Sequence, residues 1–175
     1  SFEMAKVDDL ATVTVEKSGS RADFNQADST LSVLNINGDL AQGVEVDYDG
    51  KADTTLNVNI TGATTAVGNA GNKASVRIIN ADTVVLTHQG TKNVTMSNGI
   101  QLDDSDANGR STSSLTITNN ADTNLTINGM ANENNPVTTV VADSDDVQTL
   151  LVQTNKLGDL FLGGLLDLLG HVERT

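Results

Sequence analysis

Short segments that alternate apolar with polar residues recur along most of this chain, and they constrain its fold more than any other feature. In Thr55–Thr61, Ser75–Thr87, Ser114–Asn119 and Asn124–Asn128, aliphatic residues are interleaved with Thr or Asn, as in TLNVNITG, SLTITNNAD and NLTINGM. Alternation with a period of two buries one face of a strand and leaves the other face to water. The chain is therefore predicted to be built from many similar short β-strands.

Strands of this kind are predicted along the whole sequence. They are Ala11–Glu16, Leu31–Ile36, Val44–Tyr48, Leu56–Ile60, Val76–Ile79, Val84–Thr87, Val94–Met96, Leu115–Ile117, Leu125–Ile127, Val137–Val141 and Thr149–Val152. Turn-forming pairs such as Asn37-Gly38 and Asn98-Gly99 separate many of them. Such pairs suit both the tight hairpins of antiparallel sheets and the left-handed corners of a solenoid. The predicted fold class is all-β, either β-solenoid-like or an irregular β-sandwich of many short strands.

The core of such a fold has to be aliphatic. Only 2% of the residues are aromatic, with no Trp, one Tyr and three Phe. Small branched side chains fill the narrow space between closely spaced strands, so this composition favours thin, regularly stacked layers.

Three regions are distinguished by composition. Residues 1–29 are predicted to hold an N-terminal strand and a polar loop at Ser18–Ser29, and residues 30–155 the repetitive β domain. Residues 156–175 form a Leu-rich C-terminal segment, in which leucines at helical spacing over Lys156–His171 predict a helix that its glycines weaken. This segment is expected to cap the open end of the β core, with a docking or oligomerisation face and a terminal β-strand as the alternatives.

Charge narrows the range of partners. The net charge is −13 and the sequence pI about 4.2, which disfavours nucleic acid and anionic membranes, since phosphate binding needs clustered Lys and Arg. No apolar run approaches the roughly 20 residues that span a bilayer, so no membrane span is expected. There is no cysteine, no N-terminal export signal is visible, and both ends look cut from a longer chain. Cations are the expected counterparts, although acidity also serves solubility alone.

A partial calcium loop is the best-defined chemical motif. Asp104, Asp106 and Asn108 are spaced at alternate positions before Gly109, as in the first half of a calcium-binding loop whose oxygens converge on one ion. The twelfth position is Leu115, so the bidentate Glu is missing and Asp103 or a carboxylate of a neighbouring turn would have to complete the site. The same residues also suit a solvated polar turn. The weaker metal candidates are Asp47, Asp49 and Asp53, and Asp143, Asp145 and Asp146.

No catalytic constellation is evident in the sequence. The two histidines, His88 and His171, are far apart and lack the Ser or Asp context of a catalytic triad. His88 is interpreted as an ordinary strand residue, and glycine loops of the phosphate-binding type are absent from the sequence. The chain is not expected to be an enzyme, with a β-helical polysaccharide lyase or hydrolase as a remote alternative.

The sequence pattern of the central region resembles that of bacterial surface-layer proteins and related type I-secreted repetitive surface proteins. The runs GKADTTLNVNITGA, VRIINADTVVLTH, SSLTITNNADTNLTINGM and VTTVVADSDDVQTLLV carry this resemblance of rhythm and composition over roughly Val44–Val152. It implies a right-handed β-solenoid or linked β-domain, export by a type I system and calcium-dependent assembly at the cell surface. The glycine-rich nonapeptide calcium repeats of that secretion class do not occur here, so calcium rests on Asp104–Gly109 alone.

These observations give an expected function. The chain is expected to be a structural building block of an extracellular bacterial assembly, a surface layer or matrix, that self-associates with neighbouring copies through β-rich contacts and is stabilised by calcium. The alternative is an adhesin or phage-fibre module that binds cell-surface glycan or lipopolysaccharide, with Tyr48 and Phe24 as its available aromatic platform. An ice-binding solenoid is a third hypothesis, although regular Thr-x-Thr ranks are scarce in the sequence.

Overall fold

The structure is a computed structural model, and it is all-β in the residues it describes. These are residues 2–4, 9–27, 30–48, 54–68, 73–103, 112, 114–132, 135–142, 149–154, 160–163 and 165–168, with the backbone alone for residues 2–4, for residue 26 and from residue 130 onward. They form strands, turns and bends, and no helix occurs among them.

The strands fall into three sheets. Sheet A contains β1 (Phe2–Met4), β3 (Ala22–Ala27), β5 (Val44–Tyr48), β8 (Val76–Ile79), β11 (Ile100–Asp103), β15 (Asn135–Ala142), β14 (Met130–Asn132) and β18 (Leu165–Leu168). Sheet B contains β2 (Thr12–Val15), β4 (Val33–Ile36), β6 (Thr55–Ile60), β9 (Thr83–His88), β12 (Ser114–Asn119) and β16 (Thr149–Thr154). Sheet C contains β7 (Ala66–Val67), β10 (Val94–Met96), β13 (Leu125–Asn128) and β17 (Leu160–Gly163). Pairing is parallel throughout except between β14 and β15.

The chain visits the three sheets in a fixed cyclic order. The first circuit runs from β2 in sheet B through Ser18 to β3 in sheet A, and the second runs from β4 through Leu40 to β5. Ser18 and Leu40 form single-residue parallel bridges that extend the pairing of sheet C. From β6 onward each circuit adds one strand to sheet B, one to sheet C and one to sheet A, except that the circuit beginning with β12 adds both β14 and β15 to sheet A. Each strand thus pairs with the equivalent strand of the circuits before and after it.

Circuits differ in length although their strands stay in register. Paired positions are 21 residues apart between Thr14 and Asn35 and 24 apart between Asn35 and Asn59. The separation rises to 28 residues between Thr54 and Asp82, and to 31 between Ala81 and Thr112. Since the strands remain aligned, the additional residues are accommodated in the connections.

Inward-facing aliphatic side chains form one core that all three sheets share. In sheet B the register stacks Leu34, Val58, Leu86 and Ile117 on one another, and each is fully buried. Neighbouring strands lie about 4.8 Å apart, so each side chain contacts the one above and the one below. Burial of a Val, Ile or Leu contributes roughly 1.5 to 3 kcal/mol, which makes this aliphatic stack the main source of stability.

All the strands predicted from alternation are found, and one predicted loop is wrong. The polar stretch Ser18–Ser29 contains strand β3, in which Ala22, Phe24 and Ala27 are buried while Asp23 is half-buried. The alternation holds only for Ala22 and Phe24, because the pairing with β5 shifts register between Phe24 and Ala27, and so short a pattern among polar residues is hard to recognise.

The predicted C-terminal helix is not found either. Within Lys156–His171 the described backbone forms strands β17 and β18, and the remaining residues lie outside the described part. β17 pairs in parallel with β13, so its backbone groups find partners in sheet C. Glycines on both sides of β17 also disfavour a continuous helix, and the terminal-strand alternative fits this backbone.

The Asn-Gly pair at 98–99 forms a corner between sheets. Gly99 has φ +64° and lies between β10 of sheet C and β11 of sheet A, which are not paired with each other. At this position the pair therefore leads the chain from one sheet to another with a positive φ and does not close a hairpin.

Candidate functional site: a charged and an uncharged face

Charge is segregated among the three sheets. Within the described strands, every charged residue belongs to sheet A: Glu3, Asp23, Glu45, Asp47, Arg77, Asp103 and Asp167. The strands of sheets B and C contain none. Two faces of different chemistry follow from this distribution.

Arg21 is a buried cation that joins the first circuits on sheet A. Its side chain is 2% exposed, and its Nη1 donates to the carbonyls of Gln42, at 3.3 Å, and Ala74, at 3.1 Å. Its Nη2 donates to Oε2 of Glu45 at 3.0 Å. Its Nε lies 3.0 Å from Oδ1 of Asp23, outside hydrogen-bond alignment, so that contact is an ion pair. Arg21 therefore connects segments that are distant in sequence.

Arg77 continues this network across the next strands. Its Nη1 donates to the same Glu45 oxygen at 3.0 Å, and its Nε donates to Oδ2 of Asp103 at 2.6 Å. Burial raises the pKa of the Glu45 carboxyl, but the hydrogen bond from Arg77 and the charges of Arg21 and Arg77 outweigh burial and hold the pKa below its ordinary value. Burial likewise lowers the pKa of Arg77, and its bonds to Asp103 and Glu45 more than compensate, so the pKa is raised.

A small cavity adjoins this network, and the charged groups that line it are paired mainly with one another. It has a volume of about 270 Å³ and is lined by Arg21, Glu45, Lys73, Ala74, Arg77 and Gln101. Arg21 and Arg77 already engage the carboxylates of Asp23, Glu45 and Asp103, so the network does not present free cations to a ligand. Sequence reasoning missed this network; the signal was a charge at outward positions of successive strands, in ADFN, VEVD, VRII and IQLD.

Only one of the predicted calcium ligands lies in the described part of the chain. Asp103 ends β11 on sheet A, where Oδ2 accepts from Arg77 and Oδ1 accepts from Nε2 of Gln101 at 3.1 Å. Asp104, Asp106 and Asn108 lie outside the described residues. Both Asp103 oxygens already have donors, so recruiting Asp103 to an ion would compete with Arg77.

The weaker metal candidates divide in the same way. Asp47 is half-buried on sheet A, whereas Asp49, Asp53, Asp143, Asp145 and Asp146 lie outside the described residues. Among the side chains that are described, no group of three or more His, Asp or Glu is arranged to hold a metal ion.

The outward face of sheet B carries ranks of Thr, Asn, Ser and Val. We call this the uncharged face; its outward residues are Thr12, Thr14, Val33, Asn35, Thr55, Asn57, Asn59, Thr83, Val85, Thr87, Ser114 and Thr116, while Thr118 continues the alternation but is only 7% exposed. The register places Thr14, Asn35, Asn59, Thr87 and Thr118 in one rank that crosses five strands.

Side-chain hydrogen bonds run along this rank. Nδ2 of Asn59 donates to Oδ1 of Asn35 at 3.0 Å, and Nδ2 of Asn35 donates to Oγ1 of Thr14 at 3.4 Å. A second ladder borders it, in which Thr61 donates to Asn37, at 3.3 Å, and Asn37 donates to Glu16, at 3.2 Å. These bonds hold the amides in fixed orientations on the surface.

A larger apolar cavity lies beside the first circuit. Its volume is about 560 Å³, and Leu10, Val13, Val15, Ala22 and Phe24 contribute its apolar lining. The cavity lies against β2, the last strand in the order of sheet B, so it marks the place where the aliphatic stack ends.

His88 is buried and has partners on both ring nitrogens. Nδ1 accepts from the backbone N–H of Gly90 at 3.3 Å, and Nε2 lies 2.9 Å from Oγ1 of Thr123, to which it donates when the ring is neutral. Burial lowers the pKa of His88, against backbone hydrogen bonds at Ile60 and Lys92 that raise it. The ring has no exposed surface and so cannot meet a substrate. His171 lies outside the described residues.

The aromatic residues considered for a glycan platform are buried. Tyr48 is 2% exposed and donates its hydroxyl proton to the carbonyl of Leu31 at 2.5 Å, and Phe24 is 1% exposed. Neither can stack on a sugar ring at the surface.

Comparisons with known proteins gave no match. No family model, curated protein or solved structure matches this chain. Among the described residues there is also no helix long and apolar enough to cross a membrane.

Proposed function

We propose that the chain is a β-solenoid whose circuits stack along one axis. The cyclic order of sheets B, C and A supports this, as does the parallel pairing of equivalent strands between successive circuits. A β-sandwich packs two sheets face to face, with antiparallel neighbours predominating. Three parallel sheets sharing one aliphatic core fit a solenoid better.

The proposed function is that of a structural building block of an extracellular bacterial assembly, a surface layer or matrix. The observation that carries it is the stack of buried, mainly aliphatic ranks, which packing and strand pairing join across the circuits whose side chains the structure describes. A stacked fold presents long, regular faces that suit lateral contacts between copies. The resemblance in rhythm to surface-layer and type I-secreted proteins supports the extracellular location.

Calcium is proposed to stabilise the assembly. The chain carries a net charge of −13, so neighbouring copies repel one another unless cations intervene. Asp104, Asp106 and Asn108 are the proposed ligands, with Asp103 available only if it leaves Arg77. Calcium would bind oxygens at about 2.3 to 2.6 Å and so could link carboxylates within one copy or between copies.

Calcium titration tests this function. Light scattering and thermal unfolding are followed with increasing CaCl₂, with NaCl at equal ionic strength as the control for screening and D104N/D106N as the matched variant. We expect calcium, and not NaCl, to raise both the scattering and the melting temperature of the wild type, and the variant to respond less. A chain that stays monomeric with an unchanged melting temperature would contradict the proposal.

The adhesin alternative gains no support from a specific observation. Its platform required exposed Tyr48 and Phe24, and both are buried in the core. A glycan array would detect such binding if another part of the surface supplied it.

A further inference from the structure

We infer that the uncharged face of sheet B is the surface through which one copy of this chain contacts a second copy. The inference rests on the proposed function, because it names the contact surface that self-association would use. It is carried by three observations: where the charges are, which groups the face presents, and how large the face is.

Charge distribution favours this face over the charged one. Two chains of net charge −13 repel, and at about 0.1 M salt this repulsion extends roughly 10 Å from the surface. Contact through sheet A would also desolvate Glu45, Asp47 and Asp103. The described strands of sheet B bring no charged side chain into a contact, and Glu16, which follows β2 and accepts from Asn37, lies at the border of the face.

The groups on the uncharged face can pair with copies of themselves. Each Asn amide has two N–H donors and an oxygen that accepts twice, and each Thr hydroxyl both donates and accepts. Asn35 and Asn59 are held in place by the ladder bonds, which use only part of this capacity. A two-fold arrangement places the same patch on both copies, and only a surface with donors and acceptors together is complementary to itself. The methyl groups of Val85 and the threonines supply apolar contact between these polar groups.

The size of the face determines the kind of assembly. A six-residue strand is about 20 Å long, and the five strands that carry the face span about 20 Å at about 4.8 Å spacing, which gives on the order of 400 Å². Stable pairwise complexes bury about 800 Å² on each partner. A single contact of this size is weak, so we expect this face alone to join two copies loosely and a larger assembly to need further contacts.

Glutamate substitutions on two faces test the inference. T87E and T116E place a charge on the uncharged face, while T95E and T126E place the same charge on half-buried outward positions of sheet C. Sedimentation over a wide concentration range, with and without calcium, gives the association constant, and circular dichroism checks that each variant is folded. We expect T87E and T116E to weaken association at least about tenfold, because the contact would bury an unpaired charge, and the sheet C variants to change it by less than about twofold.

Lysine variants separate a contact effect from net charge. T87K and T126K each make the chain less negative by the same amount. If sheet B is the contact, T87K weakens association despite the reduced repulsion, while T126K leaves it unchanged or strengthens it. If repulsion alone governs association, both lysine variants strengthen it equally, and the inference is overturned.

The remaining outcomes are also decisive. Association that responds equally to sheet B and sheet C glutamates overturns the inference and leaves the proposed function standing. A wild-type chain that is monomeric under all conditions overturns both. A monomeric chain that adsorbs to ice or to an insoluble neutral polysaccharide, with the adsorption lost in T87E, overturns the inference and assigns the face to that ligand.

Discussion

At the residue scale, His88 is where pH acts directly on the described core. Burial lowers the pKa of its imidazole below the ordinary value of 6.5, and the neutral ring satisfies both nitrogens through Gly90 and Thr123. The unfolded chain therefore binds more protons at this residue than the folded chain below about pH 6.5. Its contribution to stability is full above that pH and is lost as the pH falls.

Replacing His88 is expected to remove this pH dependence. The free energy of unfolding of the wild type, measured by urea titration, should decline between pH 7 and 5, with about 1.4 kcal/mol lost for each unit by which the pKa is depressed. H88Q should be less stable at pH 7, because it changes a buried hydrogen-bonded group, but its free energy of unfolding should change less with pH between pH 7 and 5. H171Q is the control, and it should keep the wild-type slope; an identical slope in H88Q would contradict the assignment.

Gly43 is a second position where one residue limits the fold. Its φ is +74°, and a Cβ built there would lie 2.3 Å from the carbonyl oxygen of Ser75. Because that atom is backbone, relief would require the adjoining strands β5 and β8 to shift.

Alanine substitution tests this close approach. G43A should lower the free energy of unfolding by about 1 to 3 kcal/mol, from the strained φ and the clash together. Gly19 is the matched control, since a Cβ there meets nothing within 4 Å, so G19A should change stability by less than about 0.5 kcal/mol. Equal losses in chemical denaturation would contradict the argument.

At the scale of the element, strand positions could be predicted because alternation is a local property. Val44–Tyr48 and Val94–Met96 were predicted at their observed bounds. β3 was missed because Ala22 and Ala27 face inward with little apolar surface, and the C-terminal strands because Leu spacing in a glycine-rich segment also suits a helix. Periodicity alone cannot separate short strands from helices in such apolar runs.

Assignment of strands to sheets could not be predicted in the same way. Thr14, Asn35 and Asn59 become neighbours only because loops of different length return the chain to the same register. The separations of 21 and 24 residues lengthen further along the chain, so no fixed period in the sequence reveals the uncharged face. The Arg77 network was hidden for the same reason, since its carboxylates lie 26 and 32 residues away.

Arg77 is expected to stabilise the contact between β5, β8 and β11. R77M removes the bonds to Glu45 and Asp103 and should lower the free energy of unfolding by about 1 to 2 kcal/mol. This value lies between those of exposed and of buried ion pairs, because Arg77 is 33% exposed. K92M is the control, and because Lys92 is exposed it should change the free energy of unfolding little.

Acid titration provides an independent check on Arg77. Since the pKa of Glu45 is held below its ordinary value of 4.5, its contribution to stability is present above that pH and is lost as the pH falls. Chemical denaturation of R77M should therefore show a smaller loss of stability on acidification below pH 4.5 than that of the wild type. A slope equal to that of the wild type would mean that Arg77 does not set the Glu45 pKa.

At the scale of the whole molecule, each circuit contacts mainly the circuits before and after it. In the solenoid that we propose, stability would be approximately the sum of the free-energy terms within circuits and between neighbouring circuits, so it would vary with position. β2 lies at the end of sheet B, whereas β6 and β9 have a paired strand on each side. Local opening should therefore begin at β2 and reach the middle circuits last.

Amide hydrogen exchange tests this gradient. Protection should be lowest in β2, higher in β4 and highest in β6 and β9, because opening a middle strand breaks two ladders and opening an end strand breaks one. L86A should lower stability by about 2 to 5 kcal/mol, since Leu86 is fully buried, and should speed exchange in the paired strands β6 and β12 more than in β2. V13A, at a half-buried position of β2, is the matched control and should affect only the first circuits. Uniform protection, with every strand responding equally to L86A, would instead indicate one cooperative unit and contradict the stacked, nearest-neighbour description.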